Sequence, residues 1–196
     1  MADADERLRR WLAALVATPG LTAIDDVEEA RRALLDDSLR GVDVVSRFDG
    51  PLVDVGSGGG VPGIPLAASL PTREVTLLEA NGRKCDFLRR WAPPNATVVH
   101  GRAEEQEVEM FGVAVAKALA PPPVAAEWCL PLVRTGGAAV LWVGPSADVE
   151  HVATVASLLA AEVATEHDGL LVVRKLGPTP AGFPRRTGVA RKRPLA

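Results

Sequence analysis

The run LVDVGSGGGVPG at residues 52–63 carries the densest chemical signal in the chain. A short apolar strand holds Asp54, glycines follow at 56, 58, 59, 60 and 63, and a helical pattern begins beyond them. Open α/β sheets bind ligands at the carboxyl ends of their strands, and glycines let a ligand lie directly against the backbone. Two ligand classes compete for such a loop. The spacing Gly58-x-Gly60-x-x-Gly63 matches the dinucleotide fingerprint, with a pyrophosphate on the helix N-terminus. The spacing Asp54-x-Gly56-x-Gly58-x-Gly60 suits S-adenosylmethionine, because a carboxylate there can meet an ammonium group directly or through water, whereas it would repel a pyrophosphate. No Lys-Ser/Thr pair follows the glycines, so a P-loop for nucleoside triphosphates is excluded. Glu79, at the end of the next strand, is placed to accept hydrogen bonds from ribose hydroxyls in either class. A tight turn without a ligand is the remaining reading.

The elements that would position these residues follow from apolar spacing. Residues 4–18 and 25–40 read as amphipathic helices, the first closed by Pro19-Gly20. Strands are expected at residues 52–55, 74–79, 96–100, 113–116 and 137–143. The helices between them fall at 60–70, 81–91, 124–133 and 146–162, with a short acidic one from Ala103 and with Ser146 as a plausible cap. Strict alternation of strand and helix implies a parallel sheet with helices on both faces. Strands at 163–166 and 170–174 flank His167-Asp168-Gly169, and Asp-Gly is a strong hairpin signal, so an antiparallel strand should close the sheet. The expected architecture is a doubly wound α/β domain with an N-terminal helical appendage. That antiparallel strand favours a methyltransferase sheet over a dinucleotide one.

Composition sets the outer limits. The chain has 196 residues, 47% hydrophobic and 24% charged, which is enough for one compact domain with a sizeable core. No apolar run approaches the ~20 residues of a membrane span, and the start MADADERLRR is acidic where a secretory signal would be basic. These features point to a soluble cytoplasmic protein. Cys85 and Cys129 are expected as small buried hydrophobes. His100, His151 and His167 show no ligand spacing, so no metal is expected. The net charge of −3 hides an asymmetry: seven of the 22 basic residues and none of the 25 acidic ones lie from Arg174 onward. A basic end on an acidic body is either a docking site for a polyanion such as nucleic acid or a solvated tail. Tyrosine is absent, so stacking on a base would fall to tryptophan or phenylalanine.

Several stretches together resemble one known family. DVGSGGGVPGIPLA at 54–67 is similar to the first motif of bacterial 16S rRNA guanine-N7 methyltransferases, also called glucose-inhibited division protein B. LLEANGRKCDFL at 77–88 is similar to the second motif and GRAE at 101–104 to the third. AKALA at 116–120, with Glu127-Trp128 and Gly136-Gly137, resembles the fourth. FPRRTG at 183–188 and KRPL at 192–195 look like the family's basic C-terminal signature, and LTAI at 21–24 and DSL at 37–39 resemble its N-terminal helices.

The resemblance implies a class I methyltransferase with a Rossmann-like, mostly parallel seven-stranded sheet. It implies S-adenosylmethionine as cofactor and the 16S rRNA of the small ribosomal subunit as substrate. Asp54, Gly56, Ser57, Gly58, Gly60, Val61, Glu79, Ala103, Glu104 and Lys117 are the implied cofactor contacts. Lys117, where the family usually has arginine, would also position substrate or cofactor. Arg185, Arg186, Arg191, Lys192 and Arg193 would meet RNA phosphates, with Phe183 anchoring the segment. Arg83 and Lys84 could extend a basic rim. Residues 1–48 would form the appendage, 49–178 the cofactor-binding core and 179–196 the basic segment, in a chain able to act as a monomer. The alternatives are a non-catalytic cofactor- or RNA-binding relative, or a methyltransferase of another substrate.

Overall fold

The computed structural model describes residues 2–167 and 169–196. Its centre is a seven-stranded sheet built from β1 (Leu52–Val55), β2 (Val75–Glu79), β3 (Ala96–His100), β4 (Phe111–Lys117), β5 (Val133–Trp142), β6 (Ala161–His167) and β7 (Leu170–Lys175), in the order β3-β2-β1-β4-β5-β7-β6. The pairs among β1 to β5 are parallel, and β7 runs antiparallel to both β5 and β6. The expected mostly parallel sheet with an antiparallel terminal hairpin is thus what the chain forms. Asp168, which separates β6 and β7 in sequence together with Gly169, lies outside the described residues.

Burial on both faces explains the near-continuous apolar character of the central strands. Val53, Val55, Ala114, Ala116, Ala139 and Leu141 face one layer, which includes α7 (Pro122–Cys129) and α8 (Val149–Leu158). Leu52, Leu77, Val113, Val115 and Val140 face the other, where α1 (Ala2–Ala17) contributes Trp11, Leu12 and Leu15, and α5 (Gly63–Ser69) contributes Ile64 and Leu66. The first helix therefore shares its core with the strands. Trp11 is fully buried, and its Nε1 donates to the Gly59 carbonyl at 2.9 Å, tying the helix to the glycine loop.

Several local expectations need correcting. The helical stretch expected at 25–40 is α2 (Val27–Ala30), a π-helical segment Arg31–Asp36, and α3 (Asp37–Leu39), with α4 (Val42–Val45) following it. The stretch at 60–70 becomes helical only from Gly63, because the glycines before it are used as loop. Strand β5 starts at Val133 and β4 at Phe111; Phe111 pairs with Val133 across a register irregularity next to Gly112. The helix read at 124–133 is α7 followed by a 3-10 turn, Leu130–Leu132. Asp148 rather than Ser146 caps α8, accepting from the His151 amide at 3.1 Å. Both side chains can cap, but only Asp148 stands directly before the first helical residue. No helix among the described residues is long and apolar enough to cross a membrane.

Candidate cofactor site and basic segment

The glycine loop turns sharply at the carboxyl end of β1. The Gly56 and Ser57 amides both donate to the Leu78 carbonyl of β2, at 2.8 and 3.0 Å, and Ser57 Oγ donates to the Asp54 carbonyl at 2.9 Å. Gly56 has φ +71°, and a Cβ there would collide with Leu119 Cδ1. Only glycine fits this crossing of β1 and β4 loops. At Gly59 the obstacle is different, since a Cβ would run into Leu15 Cδ1 of α1. That glycine serves the packing of the first helix.

Glu79 locks the loop from β2. Its Oε2 accepts from the Gly58 amide at 2.9 Å and its Oε1 from the Asn81 amide at 2.7 Å. Asn81 then caps α6 (Gly82–Trp91) by accepting from the Arg83 and Lys84 amides. Each carboxylate oxygen keeps a lone pair for a further donor.

Asp54 is completely buried, on the face of β1 that carries α1 and α5. Its Oδ2 accepts from the Gly63 amide at 3.1 Å, while Oδ1 has no partner. Burial pushes its pKa up to about 7, opposed by the hydrogen bonds at Ser57 and Gly63 and assisted by the Glu79 charge. Asp54 lies beneath the loop, with one buried acceptor unsatisfied.

Beside the loop is a cavity of about 330 Å³. Of the cofactor contacts proposed from sequence, Gly56, Glu79, Ala103 and Glu104 line it. Its remaining wall comes from Val55, Leu78, Ala80, Lys84, Ala118, Leu119, Trp128 and Arg191, with Gly101 and Arg102 beside Ala103. Ser57, Gly58 and Gly60 shape the loop without lining the cavity. Val61 packs into the layer shared by α1 and α5.

Lys117 stands apart from the cavity lining. It ends β4, but its Nζ pairs with Asp37 Oδ2 of α3 instead of entering the cavity. Asp37 Oδ1 accepts from Arg40 at 2.7 Å, and the Asp37 carbonyl accepts from Trp142 Nε1 at 3.0 Å. A partly buried ammonium is most stable beside a carboxylate, and α3 brings one to it.

The basic segment folds back on the core. Arg185 donates from Nε to Glu127 Oε1 and from Nη2 to Glu127 Oε2, both at 2.6 Å, and also to the Arg193 carbonyl at 2.9 Å. Glu127 is 3% exposed, so this fork neutralises a buried charge. Arg185 is thereby removed from the set of free phosphate contacts. The Gly188 amide donates to Glu104 Oε1 at 3.0 Å, and Thr187 Oγ1 bonds Glu105 at 3.2 Å. Phe183 and Leu195 pack against the α7–α8 layer, as the anchoring role of Phe183 requires. Helix α9 (Val189–Lys192) follows, and its Arg191, read as a phosphate contact, lines the cavity. Arg186, Arg191, Lys192 and Arg193 are all exposed.

The residues fit S-adenosylmethionine on two structural counts. A buried Asp54 oxygen lacks a donor next to the loop, and Trp128 Nε1–H is buried without an acceptor in a residue of the cavity wall. A ligand whose donor reached Asp54 Oδ1 and whose acceptor reached Trp128 Nε1 would satisfy both atoms.

The sheet order, with β7 antiparallel and a glycine loop after β1, defines a class I methyltransferase fold. A SAM-dependent O-methyltransferase from Thermotoga maritima shares that fold at a TM-score of 0.58, with 17% identity over 83% of this chain and 73% of that one. A T. thermophilus 16S rRNA methyltransferase solved with AdoMet and guanosine does so at 0.55, with 17% identity over 74% of this chain and 40% of that one. The sequence profile of GidB, rRNA small subunit methyltransferase G, matches residues 5–168, and the chain belongs to that family. Among its relatives, ribosomal RNA small subunit methyltransferase G of Synechococcus elongatus is 34% identical over 200 residues, covering 89% of this chain and 82% of the relative. The Pelotomaculum thermopropionicum protein of that name is 36% identical over 197 residues, with the same coverage.

Proposed function

We propose that this protein methylates N7 of a guanine in the 16S rRNA of the small ribosomal subunit, in the cytoplasm, with S-adenosylmethionine as methyl donor. Membership of the family supports the substrate class. The observation that carries the reading is the cavity where the glycine loop and Glu79 meet the folded-back basic segment.

Glu79 would accept from the ribose hydroxyls with the lone pairs left free by Gly58 and Asn81. Asp54 would hold the ammonium end at its unpaired oxygen, directly or through water, and Ala103 and Glu104 would border the adenine. S-adenosylmethionine supplies an electrophilic methyl group on a sulfonium. Guanine N7 has a lone pair and no proton, so no general base is required, and the chain contributes orientation and exclusion of water. The guanine ring gains positive charge as N7 is methylated. A bare ammonium close to N7 would oppose that charge, and Asp37 offsets Lys117 in this respect. Exposed Arg186, Lys192 and Arg193 meet phosphates, giving a salt-dependent affinity for RNA. Residues 1–48 act as the packed N-terminal appendage of the core at 49–178, and 179–196 as the RNA-facing segment.

Two measurements test this reading together. The protein should bind S-adenosylhomocysteine, with Glu79→Ala losing at least tenfold in affinity, and it should transfer labelled methyl to small subunits from cells lacking the modification. Absence of both binding and transfer from folded protein contradicts it.

A further inference from the structure

We propose that Trp128 of α7 and Arg191 of α9 form a cofactor-reading wall, so that the basic C-terminal segment responds to cofactor binding and docks RNA more tightly once the cavity is filled. This rests on the proposed methyl-donor site and extends it to residues expected either in the core or on RNA.

Three observations converge on one wall. Arg191 and Trp128 both line the cavity, together with Glu79 and Ala103. Trp128 Nε1–H is a buried donor without a partner. The Gly188 amide, three residues before Arg191, is held by Glu104, which also lines the cavity. Both Trp128 and Arg191 are donors, and arginine has no acceptor atom at all. A wall of donors suits a group with ring-nitrogen or hydroxyl acceptors, which adenosine carries. A guanidinium can also stack flat on a purine.

The segment is built to transmit occupancy. Its root is fixed by the Arg185–Glu127 fork, and Ala190 is buried, whereas Arg186, Arg191, Lys192 and Arg193 are all exposed. Arg191 and Lys192 are adjacent on one short helix, and of these four cations only Arg191 also lines the cavity. A ligand that engages Arg191 orders the turn carrying the exposed cations. By linkage, RNA that favours the ordered turn must favour the cofactor by the same factor.

The test uses the full chain and S-adenosylhomocysteine, which cannot react. Calorimetry should show tight binding by the wild type and a loss of about tenfold in both Arg191→Ala and Trp128→Phe, the latter keeping an aromatic side chain, smaller than indole, and removing the donor. Hydrogen exchange at residues 185–193 should slow on adding S-adenosylhomocysteine in the wild type and stay unchanged in Arg191→Ala. A 16S rRNA transcript should bind the wild type several-fold more tightly with S-adenosylhomocysteine present. If the wild type binds S-adenosylhomocysteine and both variants bind it equally well, or if neither exchange nor RNA affinity responds, the wall and its coupling are overturned while the methyl-donor site stands. If the wild type does not bind S-adenosylhomocysteine at all, both readings fall.

Discussion

Arg185 and Glu127 lie 58 positions apart and meet through two parallel 2.6 Å hydrogen bonds, with the carboxylate almost wholly enclosed. Removing one partner strands a buried charge, at a cost of roughly 3–5 kcal/mol. Arg185→Ala should therefore lower the stability of the whole domain by about that much in urea unfolding. The double variant Arg185→Met/Glu127→Leu should recover most of the loss, since paired apolar replacements leave no stranded charge. An unchanged midpoint in Arg185→Ala would show that the segment does not hold this place in solution.

Asp54 should give stability an unusual pH dependence. With its pKa raised to about 7 by burial, the folded chain keeps a proton that the unfolded chain releases above about pH 4. The folded state thus binds more protons between about pH 4 and 7. Over that window the contribution of Asp54 becomes less favourable as pH rises, and it is constant above the folded pKa. Relative to Asp54→Asn, the wild type should lose roughly 2–3 kcal/mol between pH 5 and pH 8. Unfolding of both proteins at the two pH values measures this, and an equal difference at both would refute it. A cation held near the unpaired Oδ1 favours the ionised carboxylate, so wild-type affinity for S-adenosylhomocysteine should rise from pH 6 to 8.

Gly59 tests the role of the first helix. Gly59→Ala places a methyl group against Leu15, and overpacking of this kind costs about 1–3 kcal/mol. In a double-mutant cycle with Leu15→Ala, the added methyl should cost much less, because the space is then available. Strict additivity would mean that α1 does not rest on the loop.

The Lys117–Asp37 pair should affect turnover more than cofactor binding. Asp37→Asn leaves the Lys117 ammonium at the end of β4 without its carboxylate partner, and under the proposed function an uncompensated cation there would oppose the charge that the guanine gains. Methyl transfer should fall by about tenfold with S-adenosylhomocysteine affinity unchanged, and Lys117→Met added to Asp37→Asn should restore part of the rate. A fall in cofactor affinity alone would instead place this pair in the cofactor site.

The strands, helices and glycine loop were legible because their signals are local. Apolar runs of four to six residues, Asn81 before α6 and the Asp-Gly turn each declare themselves within a few positions. The closing hairpin also had a tertiary consequence that could be reasoned out, the antiparallel β7. What stayed hidden depends on partners far apart in sequence. Nothing near Lys117 announces Asp37, and nothing near Arg185 announces Glu127, so both cations read as free. Gly136-Gly137 masked the early start of β5, where the paired neighbour Phe111 decides the matter. The π-helical turn at Arg31–Asp36 has the apolar spacing of an ordinary helix. Asp54 was found by its spacing, but its burial follows from α5 and α1 closing over it. Arg191 looked like its basic neighbours, and only the fold-back of the segment sets it apart.

The most direct measurement of the function is the identity of the modified base. Small subunits lacking the family's modification would be incubated with the protein and labelled S-adenosylmethionine, and their RNA digested and analysed by mass spectrometry. The expected result is 7-methylguanine in 16S rRNA, formed by the wild type and strongly reduced in Glu79→Ala. Label in another base, in another molecule, or nowhere at all with folded protein that binds S-adenosylhomocysteine would contradict methylation of guanine N7 in ribosomal RNA.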